Sequence, residues 1–178
     1  KRIRPIVCLA TAEAAGGSVQ HALDAATALE LVHTFSLVHD DLPALDDDEL
    51  RRGQPSVWAK YGEAIGVLAG DALLTEAFRL ALTYPTTEVA RELALATNGM
   101  IGGQYLDIQE TVEDLAALHK LKTGCLFAAS VGLALWVAGV PEERQGPWRA
   151  FGDELGLLFQ IVDDILDEDG YVEAHGVD

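Results

Sequence analysis

Hydrophobic and polar positions along this chain show no strand-like alternation: β-branched residues do not alternate with polar ones over any long stretch. Ala and Leu dominate instead, and the pattern is that of consecutive helices. It predicts helices over roughly 4–15, 20–41, 63–83, 87–108, 113–121, 123–138, 143–151 and 152–169. Breaks fall at Gly16-Gly17, Pro43, Gly53 to Pro55, Tyr84-Pro85, Gly139 to Pro141 and Gly146-Pro147, where Gly and Pro turn or stop a helix. The boundary near Asp114 is soft, because Ala117 stands where a capping box needs Glu or Gln. No longer internal repeat and no low-complexity segment intervenes. Short connections predict neighbouring antiparallel helices around one core, an all-α bundle.

Thr123 to Pro141 is uncharged over 19 residues, a borderline length for a membrane span. Its Gly124, Ser130, Gly132 and Gly139, and the highly charged remainder of the chain, favour a fully buried helix and no membrane span. The 178 residues are 49% hydrophobic, enough for one sizeable core and too few for two domains. A net charge of −17 excludes nucleic acid and anionic membrane surfaces as partners. Residues 40–49 hold six acidic side chains and residues 163–169 hold five, so eleven of the 29 sit in two short stretches. Even acidity would imply only solubility; clustering implies a site.

Cys8 and Cys125 lie in apolar surroundings and are expected to act as small buried hydrophobes in a reducing, cytoplasmic compartment. No Cys/His grouping has zinc spacing. The start, Lys1-Arg2-Ile3-Arg4-Pro5-Ile6, loosely imitates a secretory signal, but its apolar run is short and Glu13 follows closely. The chain lacks an initiator Met, and Glu168 to Asp178 reads as a loop. A single domain over 1–178 is expected, with N- and C-terminal portions lying outside this sequence.

The first acidic stretch runs His39-Asp40-Asp41-Leu42-Pro43-Ala44-Leu45-Asp46-Asp47-Asp48-Glu49, followed by Arg51-Arg52-Gly53. Pro43 cannot continue a helix without losing a hydrogen bond, so Asp46 can swing back towards Asp40. The second is Phe159-Gln160-Ile161-Val162-Asp163-Asp164-Ile165-Leu166-Asp167. There Asp163 and Asp167 share a helical face, with Leu158, Ile161, Ile165 and Leu166 free to point inward. Clustered carboxylates repel unless cations fill the site. Oxygen-only ligands favour Mg²⁺ held together with substrate phosphates, and Arg51 and Arg52 beside the cluster suggest a diphosphate. Plainer readings stand beside this one: a solvated charged helix face, an acidic loop, and Arg51 and Arg52 paired with Asp47, Asp48 or Glu49. A calcium-binding EF-hand loop fails, since Ile165 and Leu50 fall where it needs acids.

Taken together, the two motifs resemble those of the trans-isoprenyl diphosphate synthases, the farnesyl and geranylgeranyl diphosphate synthase family. Further segments extend the likeness through almost the whole chain: Lys1 to Pro5, Leu68-Ala69-Gly70-Asp71-Ala72-Leu73, Gly102-Gly103-Gln104-Tyr105-Leu106-Asp107 and Lys122-Thr123-Gly124. The resemblance implies an all-α isoprenoid synthase-type bundle around a deep central cavity, usually homodimeric. It implies three Mg²⁺ ions bridging both motifs and an allylic diphosphate, with Asp40, Asp46 and Asp163 the leading ligands and Asp41, Asp164 and Asp167 secondary. Arg51, Lys122, Thr123 and Gln160 match positions around the allylic substrate. Lys1, Arg4, His33 and Arg52 match the pocket for isopentenyl diphosphate. Outside that context His33 reads as a core histidine, and Gln104 and Asp107 as either metal-shell supports or structural hydrogen-bonders.

In that family the residues before the first motif floor the cavity for the growing chain. Phe35 lies five residues before Asp40, about 7.5 Å along a helix, and a ring there predicts a C15 product. One departure is plain: no lysine follows Lys122, where the family carries lysines in a closing loop after the second motif. The expected activity is a short-chain prenyl transfer from isopentenyl and allylic diphosphates. The alternatives are a non-catalytic regulatory subunit, which would lose aspartates, and a terpene cyclase, which would replace the second motif.

Overall fold

The computed structural model describes residues 2–109 and 120–167, and leaves aside the side chains of Lys120, Asp163, Asp164, Leu166 and Asp167. The order is α1 (Ile3–Ala14), α2 (Val19–Asp40), a small hairpin of β1 (Leu50–Arg51) and β2 (Gln54–Pro55), then α3 (Val57–Tyr61), α4 (Glu63–Ala81) and α5 (Glu88–Ile108). A π-helical turn (Lys120–Gly124) leads into α6 (Cys125–Val137), and a 3-10 turn (Glu142–Arg144) into α7 (Gly146–Asp167).

Helix α2 is the axis of the bundle. Ser18 starts it, its hydroxyl accepting from the His21 amide at 3.4 Å, as an N-cap serine does. Ala22, Ala25, Ala26, Ala28, Leu29 and Val32 are all buried, so apolar residues cover more than one face, as expected of a helix surrounded by others. Helices α1, α4 and α6 pack on it. Small residues on α4, among them Ala77, Ala81 and Gly70, let that helix lie close. The uncharged stretch is α6, where Leu126, Phe127 and Ala129 through Leu135 are buried; the core-helix expectation holds. Among the described residues no helix is long and apolar enough to cross a membrane.

Three expectations change. The helices predicted over 143–151 and 152–169 are one helix, α7, through Asp167; its end at 168–169 lies outside the described residues. Pro147 falls in the first turn, where its missing amide costs nothing, and Gly152 is consumed by packing: a Cβ there would sit 3.1 Å from Val131. The inward turn expected of Leu158 and Ile165 does not occur; they are 57% and 49% exposed, because α7 faces the bundle through Gly152, Gly156 and Phe159 instead. The hairpin and α3 were not anticipated. The helix expected over 113–121 lies almost wholly outside the described residues.

A polar clamp joins α5, α6 and α7 away from the cavity. Arg149 donates to both carboxylate oxygens of Glu92 at 2.8 and 3.0 Å and to the buried Gln145 at 2.8 Å. Trp136 donates to the same Glu92 at 3.2 Å. Removing one partner of such a half-buried pair strands the other. Glu92→Ala is expected to cost about 2 kcal/mol, a melting-point fall of roughly 4–8 °C, measured by thermal unfolding; a change below about 1 °C would assign the clamp no net role.

Candidate active site

A cavity of about 940 Å³ opens between the C-terminal half of α2, α4, α5, α6 and α7. Of the residues singled out from sequence, Arg4, His33, Phe35, Asp40, Arg51, Arg52, Gln104, Lys122 and Thr123 line it. Lys1 lies outside the described residues. The backbones of Asp163, Asp164 and Asp167 lie on the last turns of α7, but their side chains are outside the described set. Gln160 lies on the same helix, half-buried.

The first motif folds as its proline suggested. Helix α2 ends at Asp40, and the chain curls back until the Asp46 amide donates to the Asp40 carbonyl at 2.8 Å. Asp40 faces the cavity. Burial pushes its carboxyl up to about 6, opposed by Lys122 and reinforced by Asp46. Asp41 turns the other way: it is 3% exposed, and Arg51 donates to it through Nε at 2.6 Å and also through its terminal nitrogen. That bond is the main reason the Arg51 guanidinium holds its proton more tightly than usual. Arg51 also reaches Asp48 at 3.3 Å, so the plain pairing read from sequence is present as a secondary contact.

The hairpin explains how Arg51 and Arg52 reach the cavity. Its turn is Arg52-Gly53, with φ of 54° and 75°, and Arg51 pairs with Gln54 across it. Two consecutive positive φ values are the signature of a type I′ turn, which matches the twist of the flanking strands. Trp58 pins the loop by donating to the Asp48 carbonyl at 3.0 Å. The basic pole comprises Arg4, Arg52 and His33. Burial, then Arg4 and Arg52, push the His33 imidazole down to about 4, so it is neutral near pH 7.

Sequence reasoning missed two features. The first is the π-helical turn carrying Lys122 and Thr123, a local widening often found at functional sites. It presses onto α5 so closely that a Cβ on Gly103 would lie 2.5 Å from the Lys122 amide nitrogen. Lys122 forms an ion pair with Asp107, which gives Asp107 a lysine to hold; Gln104 faces the cavity instead. The glycine pair of α5 was the available signal. The second is His39. Its Nε2 lies 3.1 Å from the Val67 carbonyl, and its ring meets Phe35 edge-on at 5.2 Å. It occupies the notch of Gly70, where a Cβ would come within 2.1 Å of that nitrogen.

Among the described residues, no three His, Cys, Asp or Glu side chains converge as a metal centre. The donors of Asp40 and the returning Asp46 are nonetheless carboxylate oxygens, and the raised Asp40 carboxyl is one that a cation would relieve. That chemistry fits a hard ion such as Mg²⁺.

An all-α bundle whose cavity runs from carboxylates and cationic side chains to an apolar floor is an isoprenoid synthase-type fold. It aligns with a crystal structure of an isoprenoid synthase family member from Thermotoga neapolitana at a TM-score of 0.91 and 32% identity, over 99% of this chain and 72% of that one. Residues 1–176 match the polyprenyl synthetase family, and the chain belongs to it. It is 43% identical over 182 residues to a geranylgeranyl diphosphate synthase of Cyanophora paradoxa, covering 94% of this chain and 61% of that protein. It is 42% identical over 191 residues to the farnesyl diphosphate synthase of Bacillus subtilis, covering 99% of this chain and 64% of that protein. The chain thus spans less than two thirds of the length of these curated relatives. The resemblance read from the motifs holds for family and fold.

The crowding of His33 is open to direct test. Above pH 6.5 folded and unfolded chains both hold it neutral. Between 6.5 and about 4 the unfolded chain takes up a proton that the folded chain refuses, so this group subtracts stability as pH falls through that window. The ring C–H resonance of His33 should keep its neutral shift down to about pH 5 and move with a midpoint near 4; a midpoint at the ordinary 6.5 would contradict the crowding by Arg4 and Arg52.

Proposed function

We propose that this chain is the synthase portion that condenses isopentenyl diphosphate with an allylic diphosphate, with Mg²⁺, to make a short-chain prenyl diphosphate, C15 favoured. The observation that carries this reading is one cavity joining Asp40, Arg51 and Lys122 at one end to Phe35 within its apolar wall.

In this reading Asp40 and Asp46, with Asp163, Asp164 and Asp167 on α7, hold the Mg²⁺, for which three ions are proposed; Asp41 serves mainly by aiming Arg51. The bound ions supply Lewis-acid stabilisation of charge on the leaving diphosphate. Arg51 and Lys122 add fixed positive charge around the same oxygens, and Thr123 and Gln160 orient them. Lys1, Arg4, Arg52 and neutral His33 hold the second diphosphate. The allylic carbon–oxygen bond breaks, the isopentenyl double bond attacks the resulting cation, and the proton lost passes to the departing pyrophosphate. Leu74, Met100 and Leu126 line the cavity and keep water from quenching the cation. No protein nucleophile is needed.

Phe35, only 6% exposed, lines the cavity and is braced by His39; a bulky ring in that wall supports the C15 reading over C20. A homodimer is proposed with the fold resemblance and the exposed apolar side chains of Ile65, Leu68 and Leu95 in its favour. Cytoplasmic residence accords with the Cys8 thiol, buried in the core and pushed up to about 12 by that burial.

Incubation with isopentenyl and dimethylallyl diphosphates, read by mass spectrometry, should give a C15 diphosphate with Mg²⁺ and none in its absence. Absence of any prenyl product in both conditions would reject the activity. Phe35→Ala should shift the products to C20 and beyond; an unchanged distribution would remove Phe35 as the floor.

A further inference from the structure

Phe127 does not line the cavity, yet it contacts two residues that do. It is fully buried in α6. The Arg4 guanidinium lies over its ring, 4.7 Å from the centroid. The same ring meets Phe159 at 4.7 Å and 39°. Arg4 and Phe159 both line the cavity, and Phe127 does not. Phe159 lies one helical turn before Asp163 on α7, and Gly156 makes room for the arrangement: a Cβ there would lie 3.2 Å from the Phe127 Cβ.

Arg4 as a residue is only 9% exposed, so water contributes little to fixing the plane of its guanidinium. An aromatic face beneath it supplies both attraction and orientation, more strongly when desolvated, and arginine is the cation suited to such stacking. We propose that Phe127 is the positioning residue of the basic pole: its ring holds the Arg4 guanidinium flat and presented to the diphosphate of the non-allylic substrate. This rests on the assignment of that pole under the proposed function. A phenylalanine that merely fills the core would influence both substrates alike, through stability. One that acts through Arg4 influences the substrate Arg4 binds.

Steady-state kinetics separates the two roles. Phe127→Leu should raise the KM for isopentenyl diphosphate about tenfold, the worth of a desolvated cation–π contact, while the KM for the allylic substrate stays within about twofold. Phe127→Tyr, which keeps the ring face, should recover most of the loss. In an Arg4→Gln background, Phe127→Leu should add less than about twofold, since the cation over the ring is already gone. A parallel rise in both KM values, or a full tenfold effect on top of Arg4→Gln, overturns the proposal. If the leucine variant does not fold, Phe127→Met, unbranched and close in volume, carries the same test. Should the wild-type chain make no prenyl product, the proposed function fails, and metal-free titration with inorganic pyrophosphate reads the pole directly. About tenfold weaker binding by Phe127→Leu then supports the Arg4 contact, and equal binding refutes it.

Discussion

The buried ion pair between Asp41 and Arg51 is the contact on which the rest of the site depends. Asp41 caps α2 and is all but removed from water. A carboxylate there is costly unless a cation meets it with good geometry. Arg51 meets it through two nitrogens, and that requirement draws the loop after α2 back across the mouth of the cavity. The consequences follow in order. Asp46 returns to the Asp40 backbone, the type I′ hairpin closes, and Arg52 is carried to the basic pole. Asp40, facing the other way from its neighbour, is left as the carboxylate over the cavity. Two adjacent aspartates thus differ in setting, one holding the loop and one facing the cavity.

The opposite wall is built by close approach rather than by charge. Helix α5 offers Gly103 to the π-helical turn, and Asp107 one turn further takes the Lys122 ammonium. The turn widens the helix where Lys122 and Thr123 must face the cavity. His39 in the notch of Gly70 does the same service for Phe35 on the far side. In each case the absence of a side chain on one helix sets the aim of a cavity-lining side chain on another. The cavity therefore owes its shape to packing and its polarity to a few buried charges whose partners are supplied locally.

Much of this was legible in the sequence. The long helices follow from their apolar patterning and from the Gly and Pro residues that bound them, and Pro43 correctly foretold the return of Asp46. The uncharged run read as a core helix because the surrounding chain is so highly charged. The missed elements are those decided by tertiary contact. Arg52-Gly53 is a weak turn signal beside Asn-Gly, so the hairpin was invisible. Pro147 and Gly152 look like helix breakers unless the first turn and the neighbour Val131 are known. Motif position ranked Asp40 above Asp41, but that Asp41 is buried against Arg51 is visible only in the fold. Lys122 with Asp107, and Arg4 with Phe127, join residues far apart along the chain, which no local pattern foretells.

The central claim is that the cavity holds two diphosphates by different means, one at a basic pole and one through cations on the aspartates. Calorimetric titration with inorganic pyrophosphate tests it most directly. The account predicts a single site in metal-free buffer and a second equivalent when Mg²⁺ is added. The same stoichiometry with and without Mg²⁺ would contradict it.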